Sequence, residues 1–192
     1  SNNTELSRAW SGGFRAPMFS ELDANNDGEN DIFVFDRFDK SITIFLYDNG
    51  DYVYAPEFDF YFPPLSGWVL LRDYNCDGKN DIFAQNFNGV QVWENTTVGD
   101  RPNFTQVTNS LMSADGPVTV LTGDIPAIDD IDSDGDLDIL TFGPSSVYVT
   151  YYKNSSNNCD LDFGIHTQCW GHFAEGGLSS SITLGDSCNG DI

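Results

Sequence analysis

Three ten-residue segments of this chain carry an oxygen-bearing side chain at positions 1, 3, 5 and 9 and a glycine at position 6. They are residues 23–32, 73–82 and 130–139; they align without gaps, and their starts lie 50 and then 57 residues apart. The side chains are Asp23, Asn25, Asp27 and Asp31 in the first, Asp73, Asn75, Asp77 and Asp81 in the second, and Asp130, Asp132, Asp134 and Asp138 in the third. Oxygens at this spacing converge when the chain wraps round a hard divalent ion, and calcium takes about six to eight of them. The backbone carbonyl of position 7 supplies a further ligand, so its side chain is free to vary, and it is Glu29, Lys79 or Asp136. A lysine cannot serve as a side-chain ligand but is harmless where the carbonyl donates. Gly28, Gly78 and Gly135 stand where the tight turn needs a backbone without Cβ. The pattern predicts calcium as cofactor, about one ion per segment.

The first half of this spacing is shared with the helix–loop–helix calcium site, which requires a bidentate glutamate at position 12 and an exit helix. Position 12 here is Val34, Ala84 or Thr141. The residues that follow each glycine turn, Ile32-Phe33-Val34-Phe35 and Ile82-Phe83-Ala84, are aromatic and β-branched and read as strands. That alternative is excluded.

The elements that position the loops are therefore strands. A short apolar run precedes each loop, at residues 16–22, 68–71 and 126–128, and a third strand follows at 41–47, 90–93 and 147–152. These third strands end near Asn49, Asn95 and Asn154, which suit turns. Residues 52–62 and 104–108 supply outer strands, and no stretch shows a helical period. In 41–47, Ile42, Ile44 and Leu46 face one way while Phe45 and Tyr47 face the other. Apolar residues on both faces suit a sheet held between neighbouring sheets, as in radially stacked propeller blades, whereas a sandwich exposes one face of each sheet. The fold class expected is all-β, a propeller of four-stranded blades. Blade 1 covers about 14–62, blade 2 about 66–110 and blade 3 about 118–158, with 159–192 connecting toward a further blade. Three blades leave the ring incomplete, since closed propellers use about four to eight. Alignment of the tail as a fourth loop puts Gly185 and Ser187 at ligand positions, which are poor donors.

Composition narrows the function. With 30 acidic and 8 basic residues the net charge is −22, which repels nucleic-acid phosphates and anionic membrane surfaces. The 14% aromatic and 40% hydrophobic content separates the chain from disordered acidic sequences. No apolar run is long enough to span a bilayer, and a secretory leader, if used, is cleaved before Ser1. Four cysteines, Cys76, Cys159, Cys169 and Cys188, fit two disulfides of an oxidising compartment in one of three pairings. The sequence favours the local pair Cys159–Cys169, which leaves Cys76 with Cys188.

The three Asp-x-Asx-x-Asp-Gly-x-x-Asp-Ile segments resemble FG-GAP/VCBS repeats, the calcium-loop blades also found in integrin α-subunit heads. Residues 71–82 and 124–143 are more similar to large secreted Bacteroidetes members of this class. The resemblance covers about residues 14–154. It implies a secreted or cell-surface propeller for binding or adhesion, and export by type IX secretion. The partners implied are a protein or glycan ligand, or the remaining blades or a second chain completing the ring. Similar repeats also accompany polysaccharide-degrading enzymes, lectins and structural subunits of surface assemblies.

Catalytic signatures are absent from the sequence: there is no nucleophile elbow, phosphate loop or His-Glu-x-x-His. The two histidines, His166 and His172, flank Cys169, a spacing too irregular to favour zinc over a disulfide. Trp10, Trp68 and Trp170 could stack on sugars, although aromatics of a propeller are mostly core. Sequons occur at Asn2, Asn95, Asn103 and Asn154. The reading is a non-catalytic, calcium-stabilised binding module.

Overall fold

β-branched and aromatic residues dominate the segments beside the loops, and the computed structural model folds them as strands. It describes residues 12–143, 147–156, 159–176, 181–185 and 188; Trp10, Ser187 and the sequon at Asn2 lie outside these. The first sheet takes β1 (Pro17–Leu22), β2 (Asp31–Asp36), β3 (Ser41–Asp48) and β4 (Asp51–Tyr54) in chain order, all antiparallel. The second repeats this with β5 (Val69–Arg72), β6 (Asp81–Asn86), β7 (Gly89–Asn95) and β8 (Phe104–Thr108). A small hairpin, β9 (Met112–Ser113) and β10 (Gly116–Pro117), precedes the third sheet. That sheet runs β11 (Ala127–Asp129), β12 (Asp138–Phe142), β13 (Val149–Asn154) and β14 (Phe163–Thr167), with β9 added in parallel beyond β14. A last hairpin joins β15 (Phe173–Glu175) to β16 (Ile182–Leu184). The protein is all-β, and its described residues form three antiparallel blades that do not close a ring.

Two elements differ from the sequence expectation. The outer strand of the first blade stops at Tyr54, because Pro56 opens a 3₁₀ helix, Pro56–Tyr61, that buries Phe58. Proline fixes φ and lacks the N–H a ladder needs, so the chain turns in rather than extending to residue 62. The sheet of the third blade continues past residue 158 through β14, in the stretch read from sequence as a connection.

The blades stack face to face, and strand alternation shows it. In the second blade Val69, Leu71, Ile82 and Ala84 pack into one buried cluster with Leu22, Phe33, Phe35 and Ile44 of the first. The alternate residues Phe83, Val90 and Val92 pack into another with Ile128, Ile139, Tyr152 and Phe163 of the third. Period-2 side chains of the second blade thus serve both neighbours at once. The strand at 41–47, read from sequence as held between two sheets, meets a described blade on its Ile42, Ile44 and Leu46 face only, while Phe45 and Tyr47 stack on Tyr54 and Tyr52 of their own sheet. Inner strands adjoin: the Leu71 amide donates to Ser20 Oγ at 3.3 Å, and Arg72 Nε to the Ile128 carbonyl at 2.9 Å. On the first blade β1 exposes Phe19, at 63%.

The disulfides correct the sequence preference. Cys76 pairs with Cys159, with Cα atoms 5.8 Å apart, and Cys169 with Cys188, at 5.9 Å. The local pair fails because β14 lies between Cys159 and Cys169, and five extended residues carry the chain roughly 17 Å. The Cys76 bridge instead pins the second loop to the chain just beyond β13.

Candidate metal centre

Each acidic segment links the first two strands of its blade, and each adopts the same turn. Position 4 is left-handed in all three, at φ 57° for Asn26, 58° for Cys76 and 65° for Ser133. Position 6 follows with φ 90°, 85° and 99° at Gly28, Gly78 and Gly135, a region that strains any residue with a Cβ. The carboxylate of position 1 closes the turn. Asp23 accepts from the amides of Asp27 and Gly28 at 3.0 and 2.9 Å, Asp73 from Asp77 and Gly78 at 3.2 and 2.8 Å, and Asp130 from Asp134 and Gly135 at 3.1 Å each. Position 5 accepts from the position 7 amide, at 2.9 Å for both Asp27 with Glu29 and Asp77 with Lys79.

Position 9 ties the loop to its sheet. Asp31, Asp81 and Asp138 are buried, and each accepts one amide from loop position 2 and one from the third strand. The donors are Ala24 and Tyr47 at 2.8 and 2.7 Å, Tyr74 and Asn95 at 3.0 and 2.7 Å, and Ile131 and Asn154 at 3.1 and 2.9 Å. Burial pushes Asp31 up from the usual carboxylate range and Asp81 up to about 6, while the accepted amide hydrogen bonds pull the other way. Tyr151 adds a third donor to Asp138, its hydroxyl 2.9 Å from Oδ2.

These bonds leave capacity for an ion, since each carboxylate oxygen has two lone-pair sites and an amide hydrogen uses one. Oxygens of Asp130, Asp132 and Asp138 lie within 4.8 Å of one another. Asp136 faces Asp134, Asp138 and Lys153; it is 8% exposed, and its Oδ1 has no hydrogen-bond partner among the described residues. Burial, then the neighbouring Asp134 charge, pushes Asp136 up to about 6. An orphaned buried carboxylate oxygen beside converging carboxylates is a donor set suited to a hard cation.

At position 7 the three side chains diverge. Glu29 is exposed, Lys79 Nζ donates to the Thr97 carbonyl at 2.7 Å, and Asp136 turns inward. The loops also differ in charge, with four carboxylates at 23–31, three and a lysine at 73–81, and five at 130–138. Among the described residues, the third alone has a lysine or arginine ion-paired to its carboxylates. Lys153 on β13 is hydrogen-bonded to Asp132 and lies 2.8 Å from Asp134 Oδ2, holding Asp134 below and its own ammonium above their ordinary values. The sequence reading missed Lys153. Aligning the third strands on the residues that tie to position 9, Tyr47, Asn95 and Asn154, reveals it, because the preceding residues are then Leu46, Glu94 and Lys153.

The other candidates do not assemble. The Cys169 and Cys188 thiols are joined to each other, with Cys169 Sγ 3.9 Å from His172 Nδ1. Trp68 is fully buried and Trp170 lies at the surface.

Four-stranded antiparallel blades, each with an acidic turn between its first two strands, define a repeat protein of the propeller type. Residues 23–84 match the profile of the FG-GAP-like repeat, a span that runs from the first loop through the second. The third loop, beyond that span, reproduces the same turn. A search of curated protein sequences finds no match. Among solved structures, the chain is similar to an Agrocybe aegerita lectin described for specific recognition of non-reducing terminal N-acetylglucosamine. The two are 21% identical with a TM-score of 0.43, over 78% of this chain and 37% of that protein's length.

Proposed function

We propose that this chain is a calcium-stabilised, extracellular propeller module that binds protein or glycan ligands without catalysing a reaction. The observation that carries the reading is the convergence of Asp130, Asp132 and Asp138 oxygens within 4.8 Å, on a turn repeated at the first two loops. The residues that would hold calcium are Asp23, Asn25, Asp27 and Asp31 in loop 1, Asp73, Asn75, Asp77 and Asp81 in loop 2, and Asp130, Asp132, Asp134 and Asp138 in loop 3. Carbonyls at Glu29, Lys79 and Asp136 would complete the sets. The ion supplies charge neutralisation: three divalent cations offset six of the 22 excess negative charges. The protein supplies preformed turns, since positions 1 and 9 already hold their carboxylates on backbone amides. Two disulfides among the described residues support an oxidising, extracellular setting, and no helix is long and apolar enough to cross a membrane.

Extracellular modules bind calcium with dissociation constants of about 10⁻⁴–10⁻³ M, so about 1 mM calcium adds roughly 0.4–1.4 kcal/mol per site. Over three sites the melting temperature rises by about 3–12 °C relative to chelator. Melting the native protein and a D23A/D73A/D130A variant in calcium and in chelator tests this. A rise in the native protein that the variant lacks supports the reading; equal melting temperatures in both buffers refute it.

A further inference from the structure

Lys153 occupies the place where a cation is wanted, and this bears on the third loop's response to metal. Its ammonium touches Asp132 and lies 2.8 Å from Asp134 Oδ2, with the lysine side chain 31% exposed and the two carboxylates 33% and 41%. Among the described residues no other lysine or arginine is ion-paired to a loop carboxylate. At the equivalent strand position loop 1 has Leu46, which packs against the core, and loop 2 has Glu94. Five carboxylates would otherwise make loop 3 the strongest of the three cation attractors, and the orphaned Oδ1 of Asp136 remains buried beside it.

We propose that Lys153 is a tethered cation that competes with calcium for the third loop, so that this site fills last and only by displacing the ammonium. The inference rests on the calcium reading of the loops. In calcium-free surroundings the lysine offsets the mutual repulsion of Asp132 and Asp134 on a turn that Asp130 already closes. When calcium enters, the same carboxylates must exchange one cation for another, and the lost ion pair subtracts from the site's affinity. Among the described residues the first two loops face no such competitor. The described loops therefore comprise two unopposed sites and one, in the third blade, whose occupancy reports calcium at higher concentration.

Removing Lys153 has two effects of opposite sign, which distinguishes competition from a merely structural role. Titration calorimetry with calcium chloride, on the native protein, K153M and K153Q, reads the first. One of three sites tightens by about three- to tenfold, the scale of an ion pair shared between two partly exposed carboxylates. Adding D130N to K153M removes the tightened site and leaves the other two. Melting in chelator reads the second effect: both Lys153 variants melt lower than native, yet gain more on adding calcium. The K40M variant removes the same charge away from the loops and leaves all three affinities within about twofold, as expected for screened surface charge. Three bound ions with unchanged affinities in K153M and K153Q overturn the competition and leave the calcium reading standing. No calcium bound by any of the proteins overturns both.

Discussion

Cys76 in the second loop and Ser133 in the third hold the same position and the same left-handed conformation, at φ 58° and 65°. Around them the loops are braced by different means. Loop 2 has three carboxylates, sends Lys79 away to the Thr97 carbonyl, and is fastened covalently to the chain after β13 through Cys159. Loop 3 has five carboxylates, an inward Asp136 and a non-covalent brace, Lys153. The shared features are the position 1 carboxylate on two amides, the glycine, and the buried position 9 carboxylate. Backbone geometry is thus set by positions 1, 6 and 9. Charge is set independently, at positions 3 and 7 and by the neighbouring strand.

The largest effect should come from what the loops share. D81A leaves the Tyr74 and Asn95 amides without acceptors beside a fully buried site, at a cost of about 4 kcal/mol. D73A, which frees two amides at the half-buried outer side of the same turn, should cost about 1 kcal/mol in chelator. Urea denaturation of both variants in chelator measures the contrast, and equal losses would deny the position 9 carboxylate its role.

Next is the covalent brace. The Cys76–Cys159 bridge closes a loop of 83 residues, and the C76S/C159S double variant should lose about 3 kcal/mol. Loop 3, braced by Lys153, should keep its calcium affinity in that variant while loop 2 loses some of its own. Calorimetry showing both loops equally weakened would mean that the two braces are not independent.

A carboxylate outside the loops sharpens what the amides contribute. Asp59 is half-buried in the 3₁₀ helix, its Oδ1 has no hydrogen-bond partner among the described residues, and burial, then Glu57, pushes it up to about 6. Because its folded value lies above its unfolded one, the stability it contributes is present below about pH 4 and is lost as pH rises through about 6. D59N should therefore stabilise the protein by about 1 kcal/mol at pH 7, after discounting for solvent screening, and have no such effect near pH 4. Denaturation at the two pH values checks it, and equal stabilisation at both would contradict the assignment.

The smallest effect is a transplant. Glu94→Lys puts a cation on β7 at the position that Lys153 takes on β13, and should weaken calcium at loop 2 by about threefold. An unchanged loop 2 affinity would show that Lys153 depends on the third blade for its reach.

Much of this architecture was legible in sequence because the loops carry their own turn chemistry. Gapless aspartates and glycines specify the backbone locally, and the two-faced apolar strand at 41–47 points to stacked sheets, although it is the second blade that has described neighbours on both sides. Other features depend on tertiary placement. The Cys76 pairing depends on where β14 lies, and the inward Asp136 on packing around the third loop. The early end of β4 was readable from Pro56, a signal outweighed by the aromatic run through Phe62. Lys153 looks like any exposed strand lysine until the third strands are registered on their amide donors, which the structure supplies.

The most direct measurement is an anomalous difference map from crystals of the protein grown in calcium chloride. The expected result is one peak within each turn, at 23–31, 73–81 and 130–138, with the third weakest at low calcium and Lys153 turned away once it fills. Featureless density in all three turns at millimolar calcium would contradict the assignment of these carboxylates to a metal.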